Sequence, residues 1–191
     1  MYNTVSELCL LKKLRVGCRH RPIKLIKEVS WEPPDFAFVK LNCDGSAFGN
    51  PGNGGYGIVA RNADGECLGA CAHGLGVVTN HEAECTAVIR AMELAGNFNW
   101  NKIWIETDSE VVANSFLTNY VPWQLKSRWY RACKRLQEWR ITHIYREANF
   151  SADQMAKRVA GLMKGEKEWH WGRPQFLTML EVPHHKYFRL H

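Results

Sequence analysis

The sequence predicts a mixed α/β domain, and three observations support this fold class. Segments that alternate apolar and polar residues, typical of strands, lie between segments with apolar residues every three or four positions, typical of helices. Their order is three strands, a helix, a strand, two helices, a strand and a last helix. Such an order favours one sheet with helices on its faces. The chain has 191 residues, of which 46% are hydrophobic, and this suits a single core.

The first three strands are predicted to follow one another as a meander. Residues 38–44 alternate, so that the apolar residues face one side of the sheet and Asp44 faces the other. Residues 55–61 and 66–73 are two further strand patterns. The four residues between them are typical of a tight turn, which makes these two strands antiparallel neighbours.

The first helix is predicted to begin with a capping box, in which Thr79 and Glu82 exchange hydrogen bonds. Its apolar stripe, which predicts the buried face, consists of Cys85, Val88, Ile89, Met92 and Ala95. The later predicted elements are a strand at 102–107, a helix at 110–117, a helical pattern at 123–139, a strand at 140–146, and a last helix that begins near Asn149 or Ser151.

Both ends of the chain are expected to lie outside this domain, which we place at residues 31–161. Residues 1–30 carry seven basic and two acidic residues without a clear period, typical of a poorly ordered arm. Residues 162–191 have no lasting period either, and we expect a tail or a loosely packed extension. No segment has the apolar length of a membrane span or a secretory signal. The seven cysteines follow no disulfide or zinc pattern, so we expect reduced thiols and an intracellular protein.

Four carboxylates occupy similar positions at the ends of predicted elements. They are Asp44 near the end of the first strand, Glu84 near the start of the first helix, Asp108 after a strand, and Asp153 at the start of the last helix. Burying several like charges together is costly, and a bound Mg²⁺ or Mn²⁺ would offset the repulsion. A structural alternative exists for each residue, since Asp108 and Asp153 could simply stabilise helix N-termini.

Four short motifs that contain these acids resemble the type 1 ribonuclease H family, especially the plant form associated with reverse transcriptases. The motifs are Asn42-Cys43-Asp44-Gly45-Ser46, Thr79-Asn80-x-x-Ala83-Glu84, Glu106-Thr107-Asp108-Ser109, and Arg146-Glu147-Ala148-Asn149-x-x-Ala152-Asp153-x-x-Ala156. The resemblance covers about residues 31–161. It implies the ribonuclease H-like fold, with a five-stranded mixed sheet in the order 3-2-1-4-5.

The resemblance also implies an activity and the residues for it. Asp44, Glu84, Asp108 and Asp153 would bind two Mg²⁺ ions and hydrolyse the RNA strand of an RNA–DNA hybrid, leaving 5′-phosphate and 3′-hydroxyl ends. Asn80, Gly45 and Ser46 would contact the RNA, where a 2′-hydroxyl distinguishes it from DNA. His143 lies ten residues before Asp153, as does the family's mobile catalytic histidine, although it could equally be a surface histidine of a strand.

A basic segment completes the functional prediction. Residues 120–146 carry seven basic residues and one acidic residue. The family often binds its hybrid with a basic, tryptophan-bearing region here, so Trp123, Lys126 and Arg128 are candidate nucleic-acid contacts. The alternative is an amphipathic helix that packs its tryptophans inward.

We expect a monomer whose partner is an RNA–DNA hybrid and which makes no contact with a membrane. Two alternatives to the enzyme stay open. The chain could be a catalytically weak, domesticated retroelement module that binds hybrid or other nucleic acid. It could also be a retroelement fragment that is not expressed or does not fold.

Overall fold

The structure, a computed structural model, describes residues 4–15 and 25–190. The helices of this part are α1 (Val5–Lys13), α2 (Asn80–Asn97), α3 (Glu110–Leu117), α4 (Trp123–Arg135) and α5 (Phe150–Lys157). Its strands are β1 (Ile26–Ser30), β2 (Val39–Gly49), β3 (Gly52–Arg61), β4 (Cys67–Val78), β5 (Lys102–Thr107), β6 (Glu138–His143), β7 (Lys167–Trp171) and β8 (Lys186–Leu190). None of these helices is long and apolar enough to cross a bilayer.

The main sheet contains the five predicted strands in the predicted order, and a sixth strand lies at its edge. The order is β6-β5-β2-β3-β4-β7, with β2 antiparallel to β3 and parallel to β5, which is in turn parallel to β6. The mixed α/β fold is therefore confirmed. The sixth strand pairs with β4 and comes from the C-terminal segment in which no strand was predicted.

The boundary between α4 and β6 differs from the prediction. The helical pattern at 123–139 ends at Arg135, and the strand predicted at 140–146 runs from Glu138 to His143. Pairing with β5 starts earlier than local periodicity indicated, since Glu138 lies opposite Lys102 in the sheet register. Trp139 therefore belongs to the sheet, where its ring packs edge-on against Trp129 of α4 at 5.0 Å.

Helices cover both faces of the sheet. On one face, α2 begins with the predicted capping box and buries the predicted stripe against apolar residues of β2, β3 and β5. On the other face, α5 packs across β2 and β3, and Met155 and Val159 contact Leu177 from the C-terminal segment. The site described below lies where the starts of these two helices approach the middle of the sheet.

Residues 25–30 and the C-terminal segment are folded onto the domain. Within the expected arm, residues 4–15 contain α1 and residues 25–30 contain β1, which pairs antiparallel with β8. Residues 1–3 and 16–24 of that arm lie outside the described residues. The expected tail contributes β7, β8 and two fully buried side chains, Leu177 and Glu181, so it is a packed extension. Six cysteines are free thiols, while Cys18 lies outside the described residues.

Candidate active site

Three of the four predicted carboxylates converge on one point. Asp44 lies in β2, Glu84 near the start of α2, and Asp108 directly after β5. One carboxylate oxygen from each lies within 4.8 Å of those of the other two. Asp44 is only 4% exposed, and Glu84 and Asp108 are half-buried. A set of oxygen donors this close is suited to a hard divalent cation such as Mg²⁺ or Mn²⁺.

The sheet register and one glycine produce this convergence. Strands β2 and β5 are parallel neighbours with Cys43 opposite Thr107, so the next residues, Asp44 and Asp108, are adjacent. Gly45 then lets α2 approach β2. A Cβ at Gly45 would lie 2.2 Å from the backbone nitrogen of Glu84, well inside van der Waals contact. The absence of a side chain at this residue therefore places Glu84 beside Asp44.

Replacing Gly45 with Ala is expected to lower both stability and activity. The added methyl group must push the start of α2 away from β2, which we expect to cost about 1–3 kcal/mol of unfolding free energy and to displace Glu84. Gly96→Ala is the matched control. Gly96 lies in α2, the helix that Gly45→Ala would displace, and a Cβ at Gly96 would meet nothing closer than 3.5 Å. That substitution should stabilise by about 0.5–1 kcal/mol. Chemical denaturation and cleavage rates measure both effects, and equal behaviour of the two variants would contradict the explanation.

The carboxylates of this cluster oppose one another's ionisation. Burial, together with the charges of Asp108 and Glu84, raises the pKa of Asp44 to about 8. Burial and the charge of Asp108 raise the pKa of Glu84 to about 7, and burial raises the pKa of Asp108. Near neutral pH the cluster therefore holds protons or a cation in place of three uncompensated charges.

Asp153 lies beside this group but outside it, in ion pairs of its own. It pairs with Arg146, which precedes α5, and with Lys157 one turn further along the helix, at 2.5 Å from Nζ. Burial opposes its ionisation, but the hydrogen bonds and charges of Lys157 and Arg146 lower its pKa. Gly57 brings α5 against the sheet, since a Cβ there would lie 2.3 Å from the Ala156 nitrogen.

Arg146 and Lys157 were not singled out from the sequence, although signals for both were present. Arg146 stands in the last family-like motif, and Lys157 follows Asp153 at the four-residue spacing of a helical ion pair. The side chain of Arg146 is half-exposed, and its charge acts on Asp108 and Asp44 as well as on Asp153. A positive group at the rim of the cluster is thus part of the site.

The residues expected to contact RNA also hold the site together. The Asn80 side-chain oxygen accepts a hydrogen bond from the Ala47 N–H at 2.9 Å, which ties the start of α2 to the end of β2. The Ser46 hydroxyl donates to the Ala156 carbonyl at 3.2 Å, which ties β2 to α5. Their proposed contacts with RNA stay predictions.

His143 is the last residue of β6, opposite Thr107. Its ring packs edge-on against Tyr145, with the ring centroids 4.9 Å apart. Asp108 directly follows Thr107, so His143 lies on the strand next to that of Asp108 and is offset from it by one residue. Its catalytic role stays a prediction.

The candidate contacts on α4 differ in exposure. Trp123 is 82% exposed and Lys126 is exposed, and both line a depression of about 570 Å³ next to His81 at the start of α2. Arg128 points elsewhere and forms a two-point ion pair with Glu93, at 2.8 Å for each contact. The sequence left open that this helix packs its tryptophans inward. Trp129 does so, since it is buried, whereas Trp123 does not.

Comparison with known proteins shows the family to which the chain is related. A family model described as "Reverse transcriptase-like" matches residues 42–159. The chain is 34% identical over 124 residues to the ribonuclease HI of Halobacterium salinarum and 31% identical over 133 residues to the ribonuclease H of Proteus mirabilis. These matches cover 61% and 70% of this chain, and 61% and 73% of the two relatives.

A much longer Arabidopsis thaliana protein, whose name also includes ribonuclease H, is 31% identical over 141 residues. That match takes in 72% of this chain but only 23% of the plant protein. The chain therefore spans less than two thirds of two of these three relatives.

Solved structures agree with this relationship. The crystal structure of ribonuclease H1 from Halobacterium salinarum matches with a TM-score of 0.60 and 28% identity, over 64% of this chain and 97% of that one. The LC11 ribonuclease H1, crystallised in complex with an RNA/DNA hybrid, matches with a TM-score of 0.54 and 26% identity, over 63% and 94%. The fold, the matched residues and the relatives together show that this chain belongs to the type 1 ribonuclease H family.

Proposed function

We propose that this protein is an endonuclease that hydrolyses the RNA strand of RNA–DNA hybrids. The observation that carries the proposal is the convergence of Asp44, Glu84 and Asp108, whose oxygens lie within 4.8 Å of one another. Membership of the ribonuclease H family and the hybrid-bound LC11 structure support the choice of substrate.

The carboxylates of this site would act as metal ligands. Asp44, Glu84 and Asp108 would hold Mg²⁺, or Mn²⁺ in its place, and Asp153 would complete the site for a second ion. When bound, such a pair of ions activates water and stabilises the leaving oxygen of a phosphodiester, which yields 5′-phosphate and 3′-hydroxyl products. Asp153 must first exchange Lys157 or Arg146 for the ion, because both of its oxygens are now paired.

The selectivity for RNA would come from the junction of β2 and α2. Within the described structure, the side chain of Asn80 forms a hydrogen bond only through its oxygen, which accepts from the Ala47 N–H. Its NH₂ group has no acceptor among the described residues and would donate to a ribose 2′-hydroxyl or to an adjacent base. Gly45 and Ser46, which directly follow Asp44 in β2, are the further residues that we propose to lie beside the RNA strand.

The other strand of the hybrid would lie along the start of α4. The depression next to His81 offers an exposed aromatic face from Trp123 and a positive charge from Lys126. An indole can pack against a sugar, and an ammonium group can pair with a phosphate. We propose that the protein acts as a monomer.

Trp123→Ala and Lys126→Ala are each expected to raise KM several-fold and to change kcat little, because these side chains lie away from the carboxylates. Loss of Lys126 should also reduce the slope of log affinity against log salt by about 1. Lys164→Ala is the control, since Lys164 is exposed and does not line this depression. Steady-state cleavage at several salt concentrations measures these effects. An unchanged KM in both variants would show that Trp123 and Lys126 do not contact the hybrid.

The function is tested by incubating the full chain with a labelled RNA–DNA hybrid, single-stranded RNA, double-stranded RNA and a DNA duplex. The expected result is cleavage of the hybrid RNA alone, in Mg²⁺ or Mn²⁺, with none in EDTA. Intact hybrid after long incubation with both metals would refute the proposal. Cleavage of every RNA substrate would refute its specificity.

A second candidate function rests on the ion pairs of Asp153. If Arg146 and Lys157 keep this carboxylate, the site has three ligands, and the protein would be a hybrid-binding module with weak catalysis. Tight binding of hybrid without product, in the same assay, would favour this alternative.

A further inference from the structure

A second charged site lies between α2 and α4. It is a cleft of about 350 Å³, and its lining includes Arg90, Glu93, Asn97, Arg128, Arg131 and Arg135. Four of these residues are arginines and one is an acid. Such an excess of positive charge in a concave site raises the local concentration of anions.

Glu93 fixes two of the arginines. Its carboxylate bonds Arg128 through Nε and Nη2, both at 2.8 Å, and Arg90 through Nη1 at 2.7 Å. Burial opposes ionisation of Glu93, but the bonds and charge of Arg128 and the charge of Arg90 lower its pKa, so it remains an anion. One carboxylate balances one of four guanidinium charges. It also holds Arg90 and Arg128 in defined orientations.

The other two arginines have no counter-charge. Arg131 and Arg135 are exposed and form no ion pair or hydrogen bond from their side chains within residues 4–15 and 25–190. They are one helical turn apart, and like charges at this spacing destabilise a helix. Arg135 lies beside Gly96 of α2, where the missing side chain leaves it room. The cleft is therefore lined by donors and charges that the described residues leave unsatisfied.

Arg90 adds an independent sign of a missing acceptor. Its Nε is buried and has no hydrogen-bond partner in the described part of the protein. Arg90 also lines an adjoining hollow of about 140 Å³, together with His73 and Lys167. A buried N–H without an acceptor is uncommon in folded proteins. The guanidinium group of Arg90 lines both the cleft and the adjoining hollow.

We infer that this cleft is a binding site for phosphate groups, distinct from the carboxylate cluster. Guanidinium groups match the paired oxygens of phosphate, and the cleft has many times the roughly 30 Å³ that a water occupies. Arg90 and Asn97 follow Glu84 by six and thirteen residues, so they lie about 9 Å and about 20 Å further along the helix axis. The phosphate can belong to a nucleic-acid backbone or to a small phosphorylated molecule. The site goes beyond the proposed function, and it needs neither metal nor cleavage.

The inference is tested with inorganic pyrophosphate as the probe, in EDTA and at constant ionic strength set with chloride. The thermal unfolding midpoint is measured against pyrophosphate concentration for the full chain, Arg131→Gln, Arg135→Gln and Lys134→Gln. Lys134 is the matched control, because it is an exposed cation on the same helix that does not line the cleft. The expected result is a saturable rise in midpoint that both arginine variants weaken at least several-fold and the lysine variant retains.

A second arm identifies the source of the phosphate. Binding of a short RNA–DNA hybrid in EDTA is compared for the same four proteins. Weaker hybrid binding in both arginine variants alone would support the nucleic-acid backbone, and an effect with pyrophosphate alone would support a small phosphorylated molecule. No saturable effect with either probe, or equal losses in all three variants, would overturn the inference. Cleavage of hybrid is assayed separately, so failure of the nuclease proposal is distinguishable from failure of this one.

Discussion

Replacing Asp44 with Asn is expected to reduce hybrid cleavage by about 1000-fold or more, equivalent to roughly 4 kcal/mol, while the metal-free protein becomes more stable. Asp44 is the most buried member of the cluster, at 4% exposure, and its oxygens lie against those of Glu84 and Asp108. An amide keeps the shape of the carboxylate and removes the charge that would hold the metal. The same loss of charge relieves repulsion within the cluster.

The pH dependence of stability follows from the raised pKa values. The pKa of Asp44 is about 8 in the folded protein, against an ordinary value of 3.8, and that of Glu84 is about 7, against 4.5. Between these limits the folded state keeps protons that the unfolded state has lost, so stability falls as pH rises from about 4 to about 8. Asp44→Asn removes the part of this pH dependence that comes from Asp44, and it removes the charge repulsion between Asp44 and Glu84. The unfolding free energy of Asp44→Asn should therefore change less with pH than that of the original protein.

The measurement is chemical denaturation at pH 6 and pH 8 in EDTA, repeated with Mg²⁺, beside the cleavage assay. Mg²⁺ should stabilise the original protein more at pH 8 than at pH 6, because the ligands are then deprotonated. Asp64→Asn is the control, since Asp64 is exposed in the turn between β3 and β4. Retained cleavage in Asp44→Asn, or unchanged stability in EDTA at pH 8, would contradict this account of the cluster.

Replacing Glu181 with Ala is expected to lower the free energy of unfolding by about 3–5 kcal/mol. Glu181 is fully buried in the C-terminal extension, beside Arg61, which is 2% exposed. Arg61 donates to the Glu181 carbonyl at 2.7 Å and to its carboxylate at 3.4 Å. The carboxylate also accepts from the Ser151 N–H at 2.8 Å and from its hydroxyl at 2.7 Å. Removal leaves the buried Arg61 cation without its counter-charge, with only the Glu181 and Gly65 carbonyls as acceptors among the described residues, and it leaves the N-terminus of α5 without the carboxylate that accepts from Ser151.

This loss should extend to the site, because Ser151 lies in the first turn of α5, two residues before Asp153. Urea denaturation measures the stability, and Glu166→Ala is the control in the same extension. Glu166 is exposed and its carboxylate accepts one hydrogen bond, from the Met163 N–H, so loss of this side chain should cost under about 1 kcal/mol. The double variant Arg61→Met with Glu181→Met should lose less than Glu181→Ala, since no unpaired charge remains. A cost below 1 kcal/mol for Glu181→Ala would show that the extension does not support the domain.

Much of the fold and of the site was predictable because it is encoded locally. Capping by Thr79 and Glu82 and the apolar stripe of α2 depend on residues within a few positions of one another, and both appear as predicted. The central strands follow from alternation in the same way. Asp44, Glu84 and Asp108 were found because each lies in a recognisable motif. Parallel pairing of β2 with β5 then brings Asp44 beside Asp108, and the approach of α2 at Gly45 adds Glu84.

By itself, then, the sequence determined the α/β class and three of the carboxylates that converge, and its resemblance to a known family implied the order of the five central strands. Tertiary structure alone decided that residues 162–191 add an edge strand and that Glu181 reaches Arg61, 120 positions away. It also decided that Asp153 pairs with Arg146 and Lys157, and that four arginines line a cleft between α2 and α4. The physical reason is common to these contacts. Periodicity records which face of an element is buried, whereas the partner of a buried charge or an edge strand depends on where distant segments pack.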